Sequence, residues 1–369
     1  MRNKIAIIDP VGAHGGMHYT TYGYCSGFMA NNWHPFLFTC EDKASKDSNA
    51  ETFFSFKDIW KKQYGWLKFL MLLKGYVNSF LISNQNQIHV VNLHFFKWGG
   101  INTLVLIMAK IFFKGKVIVT IHDVKSFKIS SNLSPSISIQ ICDGFIFFNE
   151  FSKDEFSDLY GLKRPYTIAS HGNYLHFFSK LEPRARVNRD KIRLLFFGQL
   201  KAVKGIDILL DAFKIVCQRS ADFELTIVGR PWKIGRDEVI QKIHSTGAGD
   251  RVKYHLNYVS DVEANEYYKN TDVVVLPYTR IYNSAVMLLS FSYGRPVITS
   301  DLPPFLDRVE NGYNGLTFKS KDPMDLANTI LSTRDYNLAE MGNRGHEKVK
   351  VLNDWQVECG KIIDFIVQL

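Results

Sequence analysis

The sequence has no cysteine pair at C-x-x-C spacing, and its five cysteines, Cys25, Cys40, Cys142, Cys217 and Cys359, lie far apart. An odd, scattered set excludes a disulfide framework and a cysteine-built structural metal site. It predicts reduced, mostly buried thiols in a cytoplasmic protein. No run of 18 uninterrupted apolar residues occurs, so no segment reads as a membrane-spanning helix. The apolar run at 5–8 is too short for a signal peptide and reads as a buried strand. No spaced G-x-G-x-x-G pattern follows a strand, which disfavours a nicotinamide cofactor. Nor is any solenoid repeat or nucleic-acid-binding motif recognisable.

What is present is enough chain, 369 residues with 46% hydrophobic and 22% charged, for two globular domains. The net charge of +9 is unevenly spread: residues 1–180 hold 19 basic against 12 acidic side chains, and the remainder 26 against 24. A basic surface confined to the first half points to an anionic partner there. Short apolar runs alternate with longer amphipathic stretches throughout, the pattern of parallel sheets covered by helices. Strands are predicted at 5–8, 35–39, 88–93, 116–121, 144–148 and 166–169, then at 193–197, 224–228, 252–254, 273–276, 296–299 and 316–318. Helices are predicted at 20–31, 66–82, 101–113 and 153–160, and at 205–220, 238–245, 262–270, 285–293, 323–332 and about 355–369. The polar, proline-punctuated stretch 178–191 reads as a linker. The expected domains are therefore 1–180 and 181–369, with the last helix returning to the first. Ligands of such sheets bind beyond the carboxyl ends of the strands, so the expected site is a cleft between the domains.

Three segments carry chemistry. Directly after the first strand come Asp9, Gly12, His14, Gly15, Gly16 and His18. The glycines let backbone approach a ligand, the helix N-terminus favours an anion, and Asp9, His14 and His18 are candidate bases for activating a hydroxyl. A tight strand-to-helix turn explains the glycines equally well. Around the second domain's first strand, Gly198 is followed by a basic loop in which Lys204 and Gly205 open an amphipathic helix. A lysine there supplies a point charge where a diphosphate sits, although a lone Lys204 also reads as an ordinary surface lysine. In the third segment Asn283 or Ser284 caps an apolar helix, leaving the amides of Ala285 and Val286 for a phosphate.

In order and spacing these segments resemble the GT-B glycosyltransferases, particularly family 4, which builds bacterial polysaccharides and lipopolysaccharides. The resemblance covers most of the chain and is strongest from Leu194 to Phe318. The family's "Gly-Arg-Leu…Lys-Gly" segment is matched by Gly198, Gln199, Leu200, Lys204 and Gly205. Its "Leu-x-Ile-Val-Gly" strand is matched at 225–229, its base-holding segment at 257–261, "Ala-Asp-Val-x-Val-x-Pro" at 271–277, and "Gly-x-Pro-Val-Ile" at 294–298. The resemblance implies an α/β GT-B fold of two Rossmann-like, doubly wound domains, and donor binding by Gly198, Lys204, Gly229, Arg230, Tyr258, Val259 and residues 283–286. It also places His122 beside the donor sugar and His171 near the site. The implied reaction moves a sugar from a UDP- or GDP-linked donor to a saccharide or polyprenyl-diphosphate-linked acceptor in surface polysaccharide assembly, with no cofactor. No Asp-x-Asp sequence occurs, in keeping with a reaction that needs no metal ion.

Two departures stand out. The family's glutamate pair, which contacts the donor sugar and its ribose, falls on Ile281 and Leu289, and the expected arginine after Gly198 is Gln199. Loss of the pair puts a retaining outcome in doubt, and a base in the N-terminal loop suits an inverting displacement. A nucleotide-sugar epimerase and a non-catalytic scaffold on the same fold are the alternative readings. Separately, the lysines at 61, 62, 68 and 74 among Trp60, Tyr64 and Trp66 read as a face for an anionic membrane rather than nucleic acid.

Overall fold

A computed structural model describes residues 3–12, 18–40, 50–96, 98–124, 139–180 and 191–369. The chain divides into two compact units, Met1–Gly172 with Asn353–Leu369, and Asn173–Leu352. The first boundary thus falls upstream of the expected one at 180. The reason is local hydrogen bonding: Asn173 donates from Nδ2 to the carbonyl of Val349 at 3.0 Å, and the Tyr174 amide to Ser292 Oγ at 3.1 Å, both within the second unit. Most of the expected linker, 181–190, lies outside the described residues.

The first unit is built on β1 Lys4–Asp9, β2 His34–Thr39, β3 Glu51–Phe53, β4 Val90–Phe95, β5 Lys116–Ile121, β6 Gly144–Phe147 and β7 Tyr166–Ile168. They form one sheet in the order β3-β2-β1-β4-β5-β6-β7, every pair parallel. The second unit holds β8 Ile192–Phe197, β9 Phe223–Val228, β10 Val252–His255, β11 Val273–Leu276, β12 Val297–Ser300 and β13 Gly315–Phe318. Their order is β10-β9-β8-β11-β12-β13, again all parallel. Parallel strands need crossover helices, which bury both faces of the sheet and so demand continuous apolar runs. That is why Val273–Leu276 reads Val-Val-Val-Leu with all four residues buried.

Each expected strand is present. The sequence did not announce β3, a three-residue edge strand opening on a glutamate. Helices that went unread include the short Pro303–Leu306 and the long Leu338–Leu352. The long one carries Gly342 and Gly345, which argue against a helix interior on propensity. Packing explains both: a Cβ on Gly342 would lie 2.2 Å from the Gly294 carbonyl oxygen, and one on Gly345 2.4 Å from the Phe291 ring. In each sheet the strand order reverses once, between β1 and β4 and between β8 and β11. Loops leaving those neighbours diverge and open a crevice at their carboxyl ends, where ligands of open α/β sheets bind.

The last helix, Trp355–Gln368, belongs to the first unit and lies on His18–Ala30. Asp354 caps it, accepting the amides of Gln356 at 2.8 Å and Val357 at 3.2 Å. Its anchor is Trp355, whose buried indole fills a notch made by two glycines. A Cβ would come within 2.0 Å of the indole from Gly23 and 2.2 Å from Gly172. Removing so large a buried side chain leaves a cavity that rigid neighbours cannot fill. Trp355→Ala is therefore expected to cost about 3–5 kcal/mol, read as a lower urea midpoint. An unchanged midpoint would mean that this helix does not hold the first unit together.

Candidate functional site

In the second unit the site is set by glycines at the carboxyl ends of β8 and β9. Gly198 and Gly229 take φ of +100° and +144°, and a Cβ on Gly229 would sit 2.0 Å from the Gly198 carbonyl oxygen. Gly205, at φ +70°, comes equally close to the loop after β11, where a Cβ would lie 1.9 Å from the Pro277 carbonyl oxygen. Only a residue without a Cβ lets these three loops touch. Held between them is Lys204, the last residue of a 3₁₀ turn. Its Nζ lies 3.1 Å, and Val286 Cγ2 3.3 Å, from the point where a Cβ on Gly198 would stand.

Lys204 is half-buried as a residue, but its ammonium end is desolvated. Burial, with a smaller contribution from Lys201, lowers its pKa to about 8. Among the described residues no carboxylate pairs with it. Its Nζ instead stands 5.4 Å from the centre of the buried Tyr278 ring. Ser284 caps the helix Ala285–Ser292, its Oγ accepting the Met287 amide at 3.2 Å. The first-turn amides of Ala285 and Val286 then have no acceptor within the helix. An unneutralised ammonium, glycine backbone and a helix N-terminus thus converge on one spot, the elements of a phosphate site.

The remaining donor-side candidates follow the same end of the sheet. Arg230 comes after β9, and exposed Tyr258 and half-buried Val259 come after β10. Asn283 is half-buried beside the cap. Ile281 and Leu289 are half-buried apolar residues, so neither lends a carboxylate. Sequence reasoning passed over Tyr278 and the pair Arg280–Tyr282, in which the guanidinium Nη2 donates to the tyrosine oxygen at 2.6 Å. A cation over a ring has no signature in residue spacing.

In the first unit, Asp9 at the end of β1 is fully buried. Its Oδ1 accepts the Val11 amide at 2.9 Å and its Oδ2 the Thr21 hydroxyl at 2.7 Å. The carboxylate therefore ties the turn to the first helix. His18, half-buried, opens that helix, with its ring 3.9 Å from that of Tyr19. His14, Gly15 and Gly16 lie outside the described residues.

A buried polar chain runs through β4 and β5. Thr120 Oγ1 donates to Asn92 Oδ1 at 2.9 Å, and Asn92 Nδ2 to His94 Nε2 at 3.4 Å. His94 Nδ1 meets His122 Nε2 at 3.1 Å. With the amide in that orientation His94 carries its proton on Nδ1 and gives it to His122 Nε2, so His122 keeps its own proton on Nδ1. Burial lowers His94 to about 4 against the pull of Asp9, and pushes His122 well below the ordinary histidine range with help from His94 and His171. His171 is likewise lowered by burial to about 4, and its Nε2 contacts Thr20 Oγ1 at 2.8 Å. These are neutral imidazoles, suited to hydrogen bonding and poorly suited to taking a proton. Sequence reasoning missed this chain; the signal that could have found it is an asparagine within the buried strand Val90–Phe95.

Residues 191–334 match the family model described as Glycosyl transferases group 1. The chain is 31% identical over 128 residues to the GDP-mannose:glycolipid 4-beta-D-mannosyltransferase of Xanthomonas campestris pv. campestris, a match covering 35% of each. The matched stretch thus spans about a third of that relative's length. Among solved structures, sucrose-phosphate synthase from Thermosynechococcus elongatus superposes with a TM-score of 0.78 at 18% identity, covering 100% of this chain and 99% of that one. Anabaena Alr3699/HepE in complex with UDP-glucose superposes with a TM-score of 0.71 at 16% identity, covering 99% and 100%. The fold is that of the GT-B proteins, α/β with two Rossmann-like units.

The histidine chain makes a pH prediction. The folded values near 4 lie below the ordinary 6.5, so the folded protein binds fewer protons between them. The stability these groups contribute is present above 6.5 and is lost as pH falls toward 4. Ring ¹⁵N spectra at about pH 6 should show His94, His122 and His171 uncharged. An imidazolium signal from any of them at that pH contradicts the reading.

Proposed function

We propose that this chain, a GT-B protein whose residues 191–334 form a Glycosyl transferases group 1 domain, moves a sugar from a nucleoside diphosphate donor to a saccharide or lipid-linked acceptor. The observation that carries this is the unpaired Lys204 ammonium beside the glycine backbone of Gly198 and the helix start at Ala285 and Val286. Breaking a glycosyl–phosphate bond leaves negative charge on the departing diphosphate. Preorganised donors aimed at that charge lower the barrier, and Lys204 with the two amides fills the role without calling for a metal ion. UDP-glucose bound by Anabaena HepE, and the GDP-mannose and glycolipid in the name of the Xanthomonas relative, support this donor and acceptor chemistry. A role in bacterial surface polysaccharide assembly, at the inner face of the membrane, follows the same reading.

His122, neutral and oriented by His94, serves as a hydrogen-bonding group to a sugar hydroxyl. Asp9 is engaged in its turn, which leaves His18 and His14, the latter outside the described residues, as the bases on the acceptor side and favours direct displacement with inversion. The absence of carboxylates at Ile281 and Leu289 is consistent with that route. A β-linked product, as in the relative's name, is what one displacement gives from a donor held in the α configuration.

Lys204→Ala should weaken UDP or GDP binding by about 1.5–3 kcal/mol, the worth of a charge-assisted contact. Because the free ammonium titrates at about 8 and a diphosphate favours its charged form, binding above that pH should take up a proton and weaken as pH rises. Calorimetry in buffers of different ionisation enthalpy reads both effects. Equal affinity in the variant removes Lys204 from the site. Incubation with donor and a lipid-linked acceptor extract in EDTA should give transfer, and proton NMR of the first product an inverted anomeric centre. Donor isomerisation without acceptor would indicate the epimerase instead, and binding without turnover a scaffold.

A further inference from the structure

We propose that a cavity of about 400 Å³ within the first unit holds the hydrocarbon chain of a phosphate-bearing lipid. This rests on the glycosyl-transfer reading and names the acceptor's apolar end. The cavity lies where the sheet order reverses. Its base is formed by Pro10 and Val11 beyond β1 and by Phe95 and Phe96 at the end of β4. This is the place where a ligand of an open parallel sheet is expected. Phe69 and Leu72 of the helix Gly65–Gln85 form one wall, and Ile101 at the start of Gly100–Phe112 another. Trp60 is fixed beside it, its indole N–H donating to the Pro10 carbonyl at 2.9 Å.

A pocket of this size lined mainly by aliphatic and aromatic side chains, with few polar groups, has the form of a small-molecule site. Aliphatic and aromatic walls select a hydrocarbon over a nucleotide or a free sugar. The polar side chains are few: Lys68, Asn102, His94 and Tyr76, with the Trp60 N–H already given to Pro10. Charge identifies the other end of the ligand. Residues 57–74 hold five lysines and one acid, Asp58, which pairs with Lys61 at 2.6 Å. Tyr64 and Trp66, 64% and 65% exposed, bring amphipathic rings to the same segment, as at a boundary between hydrocarbon and headgroup. The segment that read from sequence as a membrane-facing surface thus also walls this cavity.

The test uses the full chain with farnesyl diphosphate, dodecyl phosphate, farnesol and inorganic diphosphate, followed by calorimetry. Both phosphorylated amphiphiles should bind, and inorganic diphosphate should not displace them. Leu72→Trp fills the cavity from the wall. Ile101→Trp fills it from a position 46% exposed, where the fold tolerates the larger side chain. Each should weaken amphiphile binding about tenfold or more, and Lys68→Gln about tenfold, through the head alone, so that farnesol is unaffected. UDP and GDP binding should be unchanged in all three variants. Amphiphile affinity insensitive to both filling variants, or amphiphile displaced by UDP, overturns the proposal. So does vesicle binding that survives the fillings with no binding of the soluble amphiphiles, which leaves a surface contact only. Failure of UDP and GDP to bind the parent protein rejects the glycosyl-transfer reading by itself.

Discussion

Backbone contact at three glycines governs the second unit's chemistry. Where β8, β9 and β11 end, Gly198, Gly205 and Gly229 bring neighbouring loops within the reach of a single missing methyl group. Any side chain at 205 or 229 would collide with a carbonyl oxygen and part the loops, and the positive φ at all three penalises other residues further. The gain is position. Lys204 sits at the junction, desolvated and without a carboxylate, an arrangement that costs stability in the empty protein. Such a cost is offset where an anion completes the site, the role proposed for Lys204.

The first unit handles polarity in the opposite way. Thr120, Asn92, His94 and His122 are buried, yet each finds a partner within the chain, and burial keeps the imidazoles uncharged. A satisfied neutral network of this kind fixes ring orientation and tautomer while carrying no net charge. It suits hydroxyl groups, just as the bare ammonium of the second unit suits phosphate.

Much of this architecture was legible in the sequence because parallel strands buried on both faces must be short apolar runs, and Val273–Leu276 or Lys116–Ile121 fit nothing else. Gly198 and Lys204 drew attention through their spacing around a strand end, and the structure brings the two together. What escaped notice depended on distant partners. Gly342 and Gly345 are poor helix formers, and what seats them in Leu338–Leu352 is the close approach of Gly294 and Phe291. The boundary at Gly172 was hidden because Asn173 and Tyr174 look no different from linker residues until Val349 and Ser292 are seen to hold them. Asp9 read as a free base because its acceptors' partners, Thr21 and the Val11 amide, are fixed only by the folded turn.

The aromatic lysine-rich segment shows the same limit from the other side. Its composition announces an amphipathic interface, and on a sequence alone Leu72 is either core or membrane face. The fold gives it a third position, lining a space with Phe69 and Ile101 while Lys68 stands among them. A hydrocarbon wall next to ammonium groups discriminates by two tests at once: chain length against the cavity and charge against the lysines. A ligand passing only one of them gains only part of the binding energy, which is how a site made of few polar groups achieves selectivity.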